Sequence, residues 1–159
     1  MKILVLGAPG AGKTKFAKSM GRKRKIKVLD SLPQKFIDKT GLALGGFSDY
    51  RADFIFTSEV LTLEYKNEDN DYIITAGPLY AYAHFLTKAT VNNKDDKVLE
   101  FLWIMMTMSR IALDSLWYDE IYYLPLKDAE PDSFEFIIDA SIANAIKEFR
   151  LKEKVTVVE

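Results

Sequence analysis

Apolar residues fall along this chain in short runs, and the spacing changes from strand-like to helix-like and back. Lys2-Ile3-Leu4-Val5-Leu6 is a compact apolar run that predicts a buried strand over 2–7, and a helix of about 13–22 follows. Lys25-Ile26-Lys27-Val28-Leu29-Asp30 reads as a second strand. Pro33 sits where a short helix starts, running to about Lys39 before Gly41. Gly45-Gly46 is a flexible joint, after which Ser48 or Asp49 caps a helix to about Lys66. Asn67-Glu68-Asp69-Asn70 is a polar turn, and Asp71 to Thr75 is a third strand stopped by Gly77-Pro78. A helix of about 79–90, the turn Val91-Asn92-Asn93 and a long, largely buried helix from Asp95 to Leu116 come next. Tyr118 to Leu124 is a fourth strand ended by Pro125, and Leu126 to Asp132 is an exposed polar loop. Ser133 caps a final helix to about Lys152, and Val155 to Val158 is the last strand.

Strands that alternate with helices predict an α/β fold, a parallel sheet with helices on both faces and right-handed crossovers. No internal repeat or linker divides the chain, so 1–159 reads as a single domain. Ligands of such sheets bind beyond the carboxyl ends of the strands. That rule selects the 7–14 loop, Asp30 and Ser31, Thr75 to Pro78, and Lys127 with its loop.

Chemistry enters at residues 7 to 14. Gly7-Ala8-Pro9-Gly10-Ala11-Gly12-Lys13-Thr14 fits G-x-x-x-x-G-K-[ST] at every fixed position, with a strand before it and a helix start after it. The glycines let backbone N–H groups close around phosphate oxygens, and the helix beginning at Lys13-Thr14-Lys15 turns its positive end to the same anion. Lys13 reaches the β- and γ-phosphates, and the Thr14 hydroxyl ligates Mg²⁺. The chain is therefore read as a nucleoside-triphosphate binder.

Composition narrows the partners. Net charge is −1 and 48% of residues are hydrophobic, which suits a globular core and disfavours bulk binding to duplex nucleic acid. Eight cations do fall between Lys13 and Lys27, a segment able to touch nucleic-acid phosphates but more simply a solvated helix exit. The absence of cysteine excludes disulfides, thiolate zinc and cysteine nucleophiles, and suits a reducing cytoplasm. The chain enters a strand at its second residue, so no signal peptide is expected, and no apolar run reaches membrane-spanning length. The apolar 101–117 stretch would support a homodimer if its helix leaves a face exposed.

Four stretches spread over the chain carry a resemblance: Met1 to Thr14, Phe47 to Phe54, Asp71 to Leu79 and Tyr118 to Pro125. Together they resemble the P-loop nucleoside and nucleotide kinases, more narrowly the small phage and bacterial kinase-like ATPases related to nicotinamide-riboside kinases. The resemblance implies a five-stranded sheet of order 2-3-1-4-5. It also implies transfer of the ATP γ-phosphoryl, assisted by Mg²⁺, to a small nucleoside or nucleotide acceptor held between the second-strand region and the helices after it.

Under that resemblance Asp30 orients or deprotonates the acceptor, or holds Mg²⁺ through water, and Arg51 grips an acceptor phosphate or carboxylate in a planar fork. Tyr50 and Phe54 either stack on the acceptor or belong to the core. Arg110 interrupts a very apolar helix, so it faces the active site or pairs with Asp114 one turn later. Lys127 is the only cation of the 126–133 loop, where related kinases carry an arginine-rich lid. The third strand is followed by Ala76, where many P-loop proteins place an acid. His84, the single histidine, is read chiefly as a packing residue. Asn93-Lys94-Asp95-Asp96 matches the N-K-x-D guanine signature but lies between helices, and reads as a capping turn. Two other readings stand beside the kinase: a non-catalytic nucleotide sensor, favoured by Ala76 and the arginine-poor loop, and a kinase of a modified base in DNA.

Overall fold

The computed structural model describes residues 1–45, 48–91, 97–116 and 118–159. Five strands, β1 (Lys2–Leu6), β2 (Lys27–Leu29), β3 (Tyr72–Ile74), β4 (Glu120–Tyr123) and β5 (Val155–Val157), form one sheet of order β2-β3-β1-β4-β5. Every pairing is parallel, with Leu4 of β1 opposite Ile74 of β3 on one side and Ile121 of β4 on the other. The helices among the described residues are α1 (Lys13–Arg24), α2 (Leu32–Thr40), α3 (Arg51–Lys66), α4 (Pro78–Val91), α5 (Lys97–Leu116) and α6 (Phe134–Glu148).

The strand order and the handedness of crossovers decide where the helices lie. Only the step from β1 to β2 moves leftward across the sheet; the later steps all move rightward. With right-handed crossovers, α1 alone must cover one face, and the remaining helices the other. The core divides accordingly. Ile3, Val5 and Ile73 pack with Ala17, Phe16 and Met20 of α1. Leu4, Leu6 and Ile74, whose side chains point the opposite way, join Phe56, Leu79, Met105, Ile138 and Ile142 in the larger cluster. Gly21 lets α1 close on β2, since a Cβ there would stand 2.6 Å from Val28 Cγ2.

On the larger face α4 packs against α3, α5 and α6, and most of its length is buried. The helix is apolar enough for this, with Lys88 and His84 its only basic groups. α5 is not wholly buried, because Leu99, Trp103 and Ile111 remain largely exposed. No helix among the described residues is long and apolar enough to cross a membrane.

Several strands are shorter than predicted, and two helix boundaries differ for a local reason. The helix expected from Ser48 or Asp49 starts at Arg51, with Asp49 Oδ1 accepting the Arg51 N–H at 3.0 Å from just outside. The final helix stops at Glu148 rather than near Lys152, because Arg150 adopts a left-handed φ of 57° and Leu151 N–H returns to Ile146 O. Ser133 caps α6 as expected, accepting from Phe136 N–H at 3.2 Å. Gly46 of the Gly-Gly joint, Phe47 and the Asn93–Asp96 turn lie outside the described residues.

Candidate active site

β1 ends at Leu6 and the chain turns through Gly7–Gly12 into α1 at the carboxyl edge of the sheet. Gly10 and Gly12 both have φ of 84°, a left-handed conformation that strains any residue with a Cβ. Gly12 precedes α1 and no side chain caps it, so the first-turn N–H groups are left for a ligand. Lys13 Nζ folds back to donate to Ala8 O at 2.8 Å and lies 5.2 Å from the centre of the Tyr80 ring. Burial pushes the Lys13 ammonium down to about 8, against the opposing pull of the Asp139 carboxylate on α6. Thr14 and Lys15 are exposed at the head of the helix.

Two cavities open on either side of this loop. One, of about 400 Å³, is lined by Pro9 of the loop, Ser31 after β2, Leu44, Asp53 of α3, and Tyr80 and His84 of α4. The other, of about 410 Å³, is lined by Gly10 and Ala11 of the loop, by Leu124 to Asp128 after β4, and by Val158 after β5. The phosphate loop is thus the wall the two cavities share.

The first cavity rests on a buried polar knot. Lys88 Nζ donates to Leu44 O and to Ser48 Oγ, both at 2.9 Å, and stands 2.9 Å from Asp53 Oδ2. The last contact is a buried ion pair that takes the third donor of the ammonium. Burial raises the Asp53 carboxyl to about 6, although Lys88 works against the rise. His84 is sandwiched between Tyr80, 4.3 Å between ring centres, and Phe134, at 5.5 Å.

The sequence-predicted residues are not all brought together. Asp30 stands at the carboxyl end of β2, where its carboxylate is 2.8 Å from Lys18 Nζ of α1. Lys127 is exposed in the wall of the second cavity, which Gly10 and Ala11 of the loop also line. Arg51 turns outward, with its guanidinium on Asp49 at 3.0 Å and its side chain 66% exposed. Tyr50 and Phe54 are packed edge-on to Phe101, so they belong to the core rather than to an acceptor stack. Arg110 departs furthest from the expected catalytic place. It lies at the amino edge of the sheet, stacked 5.0 Å from the Phe149 ring in a pocket with Tyr118 and Lys154. That end of α5 leads into β4, so its side chains cannot reach the phosphate loop.

Asp53, Lys88 and Asp139 were not singled out from the sequence. Lys88 carried a readable signal, because it is the one permanent charge in an otherwise apolar helix, and a buried charge requires a partner. Its partners on Leu44, Ser48 and Asp53 are 35 to 44 residues away, and periodicity cannot point to them.

No family model matches the chain, and no curated protein is significantly similar to it. Solved structures are similar in fold. NadR in complex with NR superposes with a TM-score of 0.69 at 10% identity, covering 98% of this chain and 43% of NadR. NadR in complex with NAD and AMP-PNP gives a TM-score of 0.73 at 11% identity. The deoxyadenosine kinase of M. mycoides with bound dCTP gives 0.65 at 16% identity, covering all of this chain and 90% of that one. The chain therefore spans under half the length of NadR and nearly all of the deoxyadenosine kinase. Its fold is that of the P-loop nucleoside kinases.

Proposed function

We propose that the chain binds ATP with Mg²⁺ at the 7–14 loop and transfers the terminal phosphoryl group to a hydroxyl of a small nucleoside-like acceptor in the first cavity. The observation that carries this reading is the shared wall: Pro9 faces one cavity and Gly10 and Ala11 the other, which suits a donor and an acceptor meeting at the loop. The second cavity would take the nucleotide base and sugar, and the free N–H groups of α1 the phosphates. Lys13 would leave Ala8 O to bridge the migrating group, and Lys127 would add positive charge from the second cavity's rim.

The donors present fit Mg²⁺. Thr14 offers an exposed hydroxyl at the head of α1, and Asp30 a carboxylate that reaches a metal through water once Lys18 is displaced. Among the described residues no three acidic or histidine side chains gather into a metal cage, so triphosphate and water oxygens would supply most ligands. When bound, the metal neutralises charge on the β- and γ-oxygens.

One observation favours a slower or non-catalytic nucleotide binder. No arginine lines either cavity among the described residues, and Ala76 follows β3 where an acid would help. ADP release from Mg-ATP, measured across nucleosides, nucleoside monophosphates and nicotinamide riboside, separates the readings. Acceptor-dependent ADP supports transfer. ATP binding with no turnover on any acceptor selects the sensor.

A further inference from the structure

A separate cavity of about 300 Å³ lies at the amino edge of the sheet, away from the phosphate loop. That volume is at the small end of the range for small-molecule sites. The end of α5, the end of α6 and the approach to β5 enclose it. Its floor is apolar, because Leu113, Ile121 and Phe149 line it and the last two are 3% exposed. Its rim is basic. Arg110 comes from α5, Arg150 from just after α6 and Lys154 from just before β5, against a single carboxylate, Asp114.

The two guanidinium groups are not spent on carboxylates. Among the described residues the arginines that form ion pairs are Arg24, with Glu120, and Arg51, with Asp49. Arg110 forms none, although Asp114 stands one helical turn away, and Arg150 forms none either. The Arg110 guanidinium lies 5.0 Å from the centre of the Phe149 ring, a contact that uses its charge and leaves its N–H groups to hydrogen-bond elsewhere. The carbonyl end of α6, which would repel an anion, is capped by its own backbone. Ala145 O, Ile146 O and Lys147 O accept from Phe149, Leu151 and Arg150 N–H at 2.9, 2.9 and 3.0 Å. The neighbouring Glu148 does not line the cavity and accepts from Tyr82 Oη at 3.0 Å.

We infer that this cavity is a second ligand site, one that binds a small phosphate monoester with an apolar ester group. Arg110 and Arg150 hold the phosphate, and Leu113, Ile121 and Phe149 receive the ester group. The paired N–H donors of a guanidinium match phosphate oxygens in spacing and in charge. Three cations facing one carboxylate leave an excess that a doubly charged monoester matches better than a singly charged anion does. The site lies at the opposite edge of the sheet from the phosphate loop, and it stands whether or not the chain transfers a phosphoryl group.

Phenyl phosphate is the probe, titrated into protein whose phosphate loop is already filled with Mg²⁺ and a non-hydrolysable ATP analogue. One site is expected in the wild type. Phenyl sulfate has the same shape and one negative charge fewer, and should bind about tenfold or more weakly. Inorganic phosphate lacks the apolar group and should also bind about tenfold or more weakly. Arg150→Gly removes one guanidinium without endangering the fold, because the φ of 57° at this position strains an arginine and suits a glycine. Its thermal midpoint should equal or exceed that of the wild type, while its affinity for phenyl phosphate falls about tenfold or more. Asp114→Asn removes the opposing carboxylate and should tighten binding about two- to fivefold, a gain that misfolding cannot produce. No binding of phenyl phosphate at millimolar concentration overturns the inference. So does phenyl sulfate bound as tightly, or a folded Arg150→Gly with wild-type affinity.

Discussion

Lys88 and Asp53 meet inside the wall of the first cavity, Nζ 2.9 Å from Oδ2, with side chains 0% and 1% exposed. Because the ammonium also holds Leu44 and Ser48, this one side chain ties the segment before α3 to α4. Lys88→Met removes all three contacts and strands a buried carboxylate. The expected loss is about 3–5 kcal/mol in urea unfolding at neutral pH. The Asp53 carboxyl is raised from 3.8 to about 6 even with Lys88 opposing the rise, so without Lys88 it takes up a proton at a higher pH still, and the loss should diminish as pH falls toward 6. A loss that stays constant down to pH 5 would remove Asp53 from the explanation.

Triphosphate binding should depend on the charge of Lys13. Its ammonium is pushed down to about 8 by burial, so the cation is present below that pH and fades above it. Affinity for a non-hydrolysable triphosphate analogue is expected to fall by up to about tenfold per unit above pH 8, the slope of one lost proton. Lys13→Arg keeps its charge throughout and should flatten the profile; an unchanged profile in that variant would assign the titration elsewhere.

At the far edge of the sheet Glu64 is fully buried and accepts from Tyr118 at 2.7 Å and Tyr72 at 3.1 Å. Burial raises it from 4.5 to about 7, while both tyrosines and Lys2 oppose the rise. A carboxyl raised on folding stabilises the fold fully below its unfolded value, and this contribution is lost as pH rises through about 7. Glu64→Gln stays neutral and still accepts from both phenols. It should leave stability at pH 5 little changed and add up to about 3 kcal/mol at pH 8, read from thermal unfolding. A variant less stable than wild type at both pH values would contradict this.

Arg110 offers a negative control for the site. Arg110→Ala removes the contact over Phe149, at a cost of about 0.5–1 kcal/mol in stability. Turnover should stay within about twofold, since the residue lies at the edge opposite the phosphate loop. A large fall in turnover without unfolding would place it in the chemistry after all.

How much of this was legible in the sequence varied with the range of the interaction. The phosphate loop was fully readable, because its requirements are local: positive φ at Gly10 and Gly12, a lysine and a hydroxyl at the head of a helix. The strands and their order followed from apolar runs and the resemblance. The acceptor side was not readable. Arg51 stood out for its place near a helix start after the Gly-Gly joint and Arg110 as a charge in an apolar helix, yet one turns to Asp49 and the other to Phe149. Which way a helical side chain faces depends on neighbours supplied by other elements. His84, read from the sequence chiefly as a packing residue, is packed between Tyr80 and Phe134.

The most direct test of the central claim is transfer of γ-labelled phosphate from Mg-ATP to a mixture of nucleosides, with wild type and Lys13→Ala compared side by side. The account predicts a labelled nucleoside monophosphate from the wild type and none from Lys13→Ala in a folded state. Equal product from the two proteins, or ATP bound by the wild type with no labelled nucleotide formed, would contradict it.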